Sequence, residues 1–376
     1  MQAHTIQLAC AIVRAGDNAS IITPDAGVIR ERTPERAVAV IGPRDHPFAA
    51  LRASLGATLI AVRPDHRAMG FPQAIAMRIL GRASFVIQHN APSSDSMNDP
   101  PRRLARVQHR IIDRAIAVSG AVRDGLSHRL GWPECSMVVR HNWTETDRFR
   151  PDAARGRAAR EELGLPRDAW VVGTISRVNQ QKRPLLMLEG FARFIDRCGP
   201  SVARARRAHL VWIGDGPLRE PCAARARELG IQDRVHLVGP RDRPERWHPV
   251  FDLSLLTSSF EGFPLTMLEC MACGVPMLAN PVGGIAECID DGRNGFIAAM
   301  EEPDDVAAAL ARVAGLDDVE LARISDCARR TILERFTPEV AMSATLEAFS
   351  AHRAAEFVRS GGLAPEHPIP TSEVTT

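Results

Sequence analysis

The chain has 376 residues, 45% hydrophobic and 24% charged, which is ample for a packed core and points to two domains rather than one. A formal net charge of +2 and an isoelectric point near 8.2 lack the strong basic excess of a nucleic-acid binder. No apolar run approaches the ~18 residues that span a bilayer, and the opening "MQAHTIQLACAIVRAGD" has neither the charged region nor the cleavage site of a signal peptide.

In that opening, Ile6, Leu8, Ile12 and Val13 read as one face of a helix. Short β-branched runs then alternate with longer helical patterns, the signature of a parallel α/β sheet. The front half shows "NASIITP", "AVAVIG", "ATLIAV", "ASFVIQHN", "RAIAVS" and "CSMVVRHNW". From Phe149 to Arg160 the text turns polar and irregular and reads as a linker within about 150–167. A second series follows: "AWVVGTIS", "AHLVWIGDG", "RVHLVGP", "FDLSLLTSS" and "VPMLANP". The expectation is α/β, with two facing Rossmann-like domains over 1–155 and 156–340. A C-terminal helix over 341–359 could cross back to the first domain, and the Gly/Pro/Ser/Thr-rich tail over 360–376 is predicted to be disordered.

Eight cysteines without an export signal predict reduced thiols and a cytoplasmic location. Cys270 and Cys273 form a CxxC, but no second pair or thioredoxin-like context accompanies it, so they read as core residues one helical turn apart. The segment "PPRRLARVQHRIIDRA" sets Arg102, Arg106, Arg110 and Arg114 at four-residue spacing, with Leu104, Val107, Ile111 and Ile112 on another face. Such a helix could lie peripherally on the cytoplasmic face of an anionic membrane. Packing against its own domain is the favoured reading.

In doubly wound sheets ligands sit at the carboxyl ends of strands, so the chemistry is sought there. After "FDLSLLTSS" come Glu261, Gly262 and Phe263, and then Pro264, placed where a helix begins. The amides of Leu265 and Thr266 would open that helix without helical partners, ready for an anion or a sugar oxygen. Gly262 allows close backbone approach. Glu269 lies about one turn inside the helix, so two carboxylates can address one ligand from different sides. Gly214 and Gly216 in "IGDGPLRE" suggest a dinucleotide loop, yet Arg219 stands where a third small residue is needed, so a dehydrogenase is disfavoured. Gly283 and Gly284 precede Glu287 and read equally well as a tight strand-to-helix turn. Of the 47 lysine and arginine residues a single one, Lys182, is lysine. It follows Arg177 by five residues in the loop "TISRVNQQKRP".

The Glu-x7-Glu pattern in "EGFPLTMLECMACGVP" resembles the retaining glycosyltransferases of family 4 (glycosyl transferases group 1), which adopt the GT-B fold. The resemblance extends through "GTISRVNQQKRPLLMLEGF", "LVWIGDGPLRE", "RVHLVGP" and "NPVGGIAECIDDGRNGF", and more loosely through "FVIQHN", "AIAVSGAVRDGL" and "VVRHNWTETDRFRP". It implies that Glu269 grips the ribose hydroxyls of a nucleotide, and that Glu261 and the amides near Phe263 to Leu265, beside Pro264, hold the transferred sugar. It implies that Arg177 and Lys182 bind the donor diphosphate and stabilise its departing charge. Gly214 and Gly216 would border the donor pocket, Gly283 and Gly284 would lie near its phosphates, and Pro240 and Arg241 would flank the base. His89 would contact the reacting sugar, with His66 a weaker candidate. Catalysis would thus rest on His89, Glu261, Arg177 and Lys182.

A compact ammonium rather than a planar guanidinium at position 182 would fit among phosphate oxygens beside a second cation. There is no Asp-x-Asp motif, so no resident cofactor and no essential divalent ion are expected. Ser119 would cap the helix after "AIAV". Asn142 matches a family position usually followed by glycine, and here Trp143 follows. The family also opens with a strand and a glycine-rich loop, whereas this chain begins at about the first helix, which would leave a strand edge unpaired. The activity implied is transfer of a sugar from a nucleoside-diphosphate sugar, UDP or GDP, to a saccharide or lipid-linked saccharide acceptor in cell-envelope synthesis. A donor-binding protein without turnover, or an epimerase or hydrolase on the same fold, would fit the same motifs.

Overall fold

The computed structural model describes residues 19–22, 38–41, 58–63, 84–89, 114–199 and 201–341. They form two six-stranded sheets. The first contains β1 (Ala19–Ile22), β2 (Val38–Ile41), β3 (Thr58–Arg63), β4 (Ser84–Gln88), β5 (Arg114–Ala117) and β6 (Met137–Val139) in the order β2-β1-β3-β4-β5-β6. Every neighbouring pair is parallel. All six correspond to strands read from the front half. The unpaired edge does not arise at β1, because β1 pairs with β2 on one side and β3 on the other. Arg114 opens β5 rather than closing a basic helix, and its Nη1 donates to the Cys135 carbonyl at 2.9 Å. Ile6, Leu8, Ile12, Val13, His66, Arg102, Arg106, Arg110 and residues 342–376 lie outside the described residues.

The second sheet contains β7 (Trp170–Ile175), β8 (Ala208–Ile213), β9 (Val235–Gly239), β10 (Leu253–Leu256), β11 (Met277–Ala279) and β12 (Phe296–Ile297), again parallel, in the order β12-β11-β10-β7-β8-β9. The chain runs outward from β7 through β8 to β9, then returns to lay β10 on the other side of β7. That reversal opens a crevice at the carboxyl ends of β7 and β10. β12 is only a two-residue strand, too short for the sequence pattern to announce.

Helices α1 (Gly120–Gly125), α2 (Ala153–Glu162), α3 (Pro184–Cys198), α4 (Ala203–Arg206), α5 (Arg219–Glu228), α6 (Leu265–Ala272), α7 (Pro303–Ala314) and α8 (Asp318–Arg335) cover the sheets. None of the described helices is long and apolar enough to cross a membrane. Alternation along β7 and β8 explains the two cores. Trp170, Val172, Leu210 and Trp212 face α3 and α7, where Met187, Leu188, Phe191, Phe194 and Leu310 close the layer. Val171, Val211 and Ile213 face α6 and α8. This second core runs unbroken into the first domain through Phe149, Phe263, Val118, Val122 and Leu126.

The stretch read as linker contains helix α2. Asp152 caps it by accepting from Arg155 N at 2.8 Å. Its Arg160 donates to the Val250 carbonyl, pairs with Asp252 and so ties α2 to the second domain. Ser119 caps α1 as expected, its Oγ accepting from Val122 N at 3.2 Å. Cys270 and Cys273 are buried core residues, and burial pushes both thiols up, Cys273 to about 12.

Candidate active site

Two loops leave the sheet at the crevice. After β7 the chain carries Arg177 and then a tight turn, Gln180–Lys182, capped by Asn179, whose Oδ1 accepts from Lys182 N at 3.3 Å. After β10 it carries Thr257 to Glu261. Main-chain and side-chain bonds fasten the two loops: Ser259 N donates to Gln181 O at 2.8 Å, Gln181 Nε2 to Phe260 O at 2.9 Å, and Thr257 Oγ1 to Lys182 O at 2.9 Å. This zipper delivers Lys182 Nζ onto Glu261 Oε1 as an ion pair. Ser258 Oγ donates to the same oxygen at 2.6 Å. Arg177 is exposed and has no ion pair or hydrogen bond among the described residues. The site therefore presents one cation already held by a carboxylate and one uncommitted cation.

Glu261 is followed by Gly262, and the glycine is dictated by contact with the other domain. A Cβ there would lie 1.7 Å from the His89 carbonyl oxygen, just beyond β4. Gly283, at φ +60°, supports the turn from beneath, since a Cβ on it would fall 1.8 Å from Glu261 O. Gly284 N donates to Gly262 O at 2.8 Å. The amides of Gly214 and Gly216 are also engaged, to Gly239 O at 2.9 Å and Asp215 Oδ1 at 2.9 Å. Both glycines pack on the strand-end loop carrying Arg177, where a Cβ would strike the carbonyls of Ser176 and Val178. Gly214, Gly216 and Gly284 thus serve by close approach rather than by presenting free amides.

Pro264 is the residue before α6 rather than its first, and no side chain caps the amides of that helix. Glu269, inside α6, meets His248 Nε2 at 3.2 Å. Pro240 and Arg241 follow β9 and are exposed; Arg241 lies 5.8 Å from the centre of the Trp247 ring and donates to Pro240 O at 3.2 Å. His89 is buried, its Nε2 has no partner among the described residues, and burial pushes the imidazole down to about 3. Burial thus favours its neutral form.

Asn142 holds the site from the first domain, its Nδ2 donating to Phe263 O at 2.7 Å. Beside it the His141, Phe263 and Phe336 rings pack in tilted and edge-on contacts, with centres 4.5 to 5.6 Å apart. Glu287 is the contact that the sequence pattern did not single out. Its carboxylate accepts from Gly120 N at 3.0 Å, Ala121 N at 3.1 Å and His141 Nε2 at 2.8 Å. Burial pushes this carboxyl up, but His141 and the two amides outweigh that and hold it below the usual carboxylate range. Among the described residues no group of three His, Cys, Asp or Glu side chains is placed to hold a metal ion.

Two parallel Rossmann-like sheets, with carboxylates and cations gathered at the strand ends of the second, define a protein of the GT-B glycosyltransferase fold. The Anabaena protein HepE, solved with UDP, matches with a TM-score of 0.78 at 20% identity over 93% of this chain and 96% of that one. Its complex with UDP-glucose matches at 0.77. Residues 170–315 match the family described as glycosyl transferases group 1. The chain is 32% identical over 296 residues to D-inositol 3-phosphate glycosyltransferase 2 of Catenulispora acidiphila, covering 75% of this chain and 65% of that protein. It is 31% identical over 219 residues to N-acetyl-alpha-D-glucosaminyl L-malate synthase of Bacillus anthracis, covering 58% and 54%. The chain thus spans less than two thirds of the length of these relatives.

Proposed function

We propose that this protein moves a sugar from a nucleoside-diphosphate sugar of the UDP class to a hydroxyl acceptor, with retention at the anomeric carbon. The observation that carries the reading is the Lys182–Glu261 pair at the β7–β10 crevice, with Arg177 leaving the same strand end uncommitted. A diphosphate leaving group needs fixed positive charge, and a transferred sugar needs fixed acceptors for its hydroxyls. Lys182 and Arg177 supply the first and Glu261 the second. Glu269, on the next helix, takes the ribose diol.

In the reaction the bond from the anomeric carbon to the phosphate oxygen breaks and a new bond forms on the same face. The acceptor hydroxyl proton passes to the departing diphosphate oxygen. Arg177 and Lys182 stabilise the charge that develops there and take the place a divalent ion would fill. Neutral His89 hydrogen-bonds the sugar from the first domain without exchanging a proton. The acceptor is a saccharide or lipid-linked saccharide. The names of two relatives, for an inositol phosphate and for malate, add small anionic hydroxy compounds to the screen.

Calorimetry with UDP, GDP and ADP tests the donor class first; tight binding of UDP alone is expected. Proton NMR of the product then reads the anomeric configuration. Inversion would overturn the retaining mechanism, and consumption of UDP-glucose with no acceptor present would favour a hydrolase or epimerase.

A further inference from the structure

Glu269 makes its one side-chain contact among the described residues with a histidine that exposes no surface. His248 sits at the start of a tight turn, His248–Val250, between β9 and β10. Its side chain is 0% exposed and its Nε2 lies 3.2 Å from Glu269 Oε2. The ring is wedged edge-on between Phe149 at 5.9 Å and Phe251 at 6.4 Å. Its Nδ1 is buried and has no partner among the described residues.

We infer that His248 is a positioning residue, aiming the Glu269 carboxylate at the ribose of the donor by donating a hydrogen bond from Nε2. The inference rests on the reading of Glu269 as the ribose ligand. A carboxylate only accepts, so Nε2 carries a proton toward it, and Nδ1 is left buried without a partner among the described residues. An aromatic slot filled for packing alone would hold phenylalanine and leave no such orphan, because an unpartnered buried polar atom is destabilising. The imidazole is explained by its one useful bond. That bond occupies Oε2, leaves Oε1 open, and fixes the side-chain rotamer of Glu269, which otherwise projects from α6 with 20% of its surface exposed. A ribose diol then meets an acceptor already held in place, and less freedom is lost on binding.

The test uses two variants that keep a polar side chain and differ in reach. His248→Gln places an N–H where Nε2 was; His248→Asn places it at the level of Nδ1, short of Glu269. Calorimetry compares UDP with 2′,3′-dideoxy-UDP, which lacks the diol, on wild type, both variants and Glu269→Gln. Losing a hydrogen bond to a charged group weakens binding about tenfold. Glu269→Gln and His248→Asn are each expected to weaken UDP by about that factor and to leave dideoxy-UDP unchanged, with His248→Gln close to wild type. Equal losses for both ligands, or indistinguishable Asn and Gln variants, would overturn the positioning role while Glu269→Gln still separates the ligands. Should Glu269→Gln fail to separate them, the ribose reading falls, and the role of His248 with it.

Discussion

Lys182 and Glu261 arrive from strands on opposite sides of the fold's reversal point and form one ion pair, with side chains only 13% and 7% exposed. Lys182 Nζ shares Glu261 Oε1 with Ser258 Oγ, and the bonds from Thr257 and Gln181 fasten the two loops that carry the pair. This is the setting in which a single lysine stands among arginines. A guanidinium is broader and cannot pivot its donors about one point. Lys182→Arg is expected to weaken UDP binding about tenfold or more although the charge is kept. Lys182→Met leaves Glu261 buried and unpaired and should lower stability by about 3–5 kcal/mol. Calorimetry of UDP binding and urea melts check the two effects separately.

Glu287 gives the domain interface a pH dependence. Its folded carboxyl titrates below the usual range, so the unfolded chain binds the proton more readily. The stabilisation is therefore complete above the unfolded value of about 4.3 and fades as pH falls toward the lowered folded value. Glu287→Gln keeps the shape and removes the charge that faces the α1 amides and His141. The variant should be about 1–2 kcal/mol less stable than wild type at pH 7, with the gap starting to narrow only as pH falls below about 4.3. Urea melts of both proteins at pH 7 and at a series of pH values below about 4 measure it; a gap that does not narrow along that series would show that the contact does not depend on the charge.

Gly262 tests whether the two domains must touch where they do. An alanine Cβ would sit 1.7 Å from His89 O and 3.2 Å from Val118 Cγ2. The first is backbone and cannot swing aside. Overpacking of this kind typically lowers stability by about 1–3 kcal/mol. Gly262→Ala should lower the melting temperature and also weaken UDP binding, because the turn that holds Glu261 is pushed off the first domain. Unchanged binding with a lowered melting temperature would separate the interface from the site.

Every strand but β12 was legible because each is a short apolar run between polar breaks. Glu261 and Glu269 were legible because a loop-then-helix pattern fixes their spacing. What the pattern did not disclose came from long-range pairing. Glu287 was visible only as the end of a turn, although its partners Gly120 and His141 lie more than a hundred residues away in sequence. His248 sits in an irregular segment with no periodicity to flag it. The glycines at 214, 216 and 284 stand out in the pattern, but a sequence does not say whether a glycine is there to bare its amide or to let another strand end pass close.

Arg177 bears most directly on the chemistry. It is exposed at the end of β7 and bonds nothing among the described residues, so its removal should change stability little. Lys182, by contrast, is divided between Glu261 and any ligand. If the departing diphosphate is stabilised by side chains, removing the free cation should act on turnover more than on folding. Loss of one preorganised group at a developing charge lowers kcat by about a hundredfold to a thousandfold. Arg177→Ala is expected to melt within a degree or two of wild type and to lose that much kcat. Wild-type turnover should be unchanged by EDTA, and magnesium should not rescue the variant. Turnover abolished by EDTA and restored by magnesium would instead assign the neutralising charge to a metal ion and leave Arg177 a minor part.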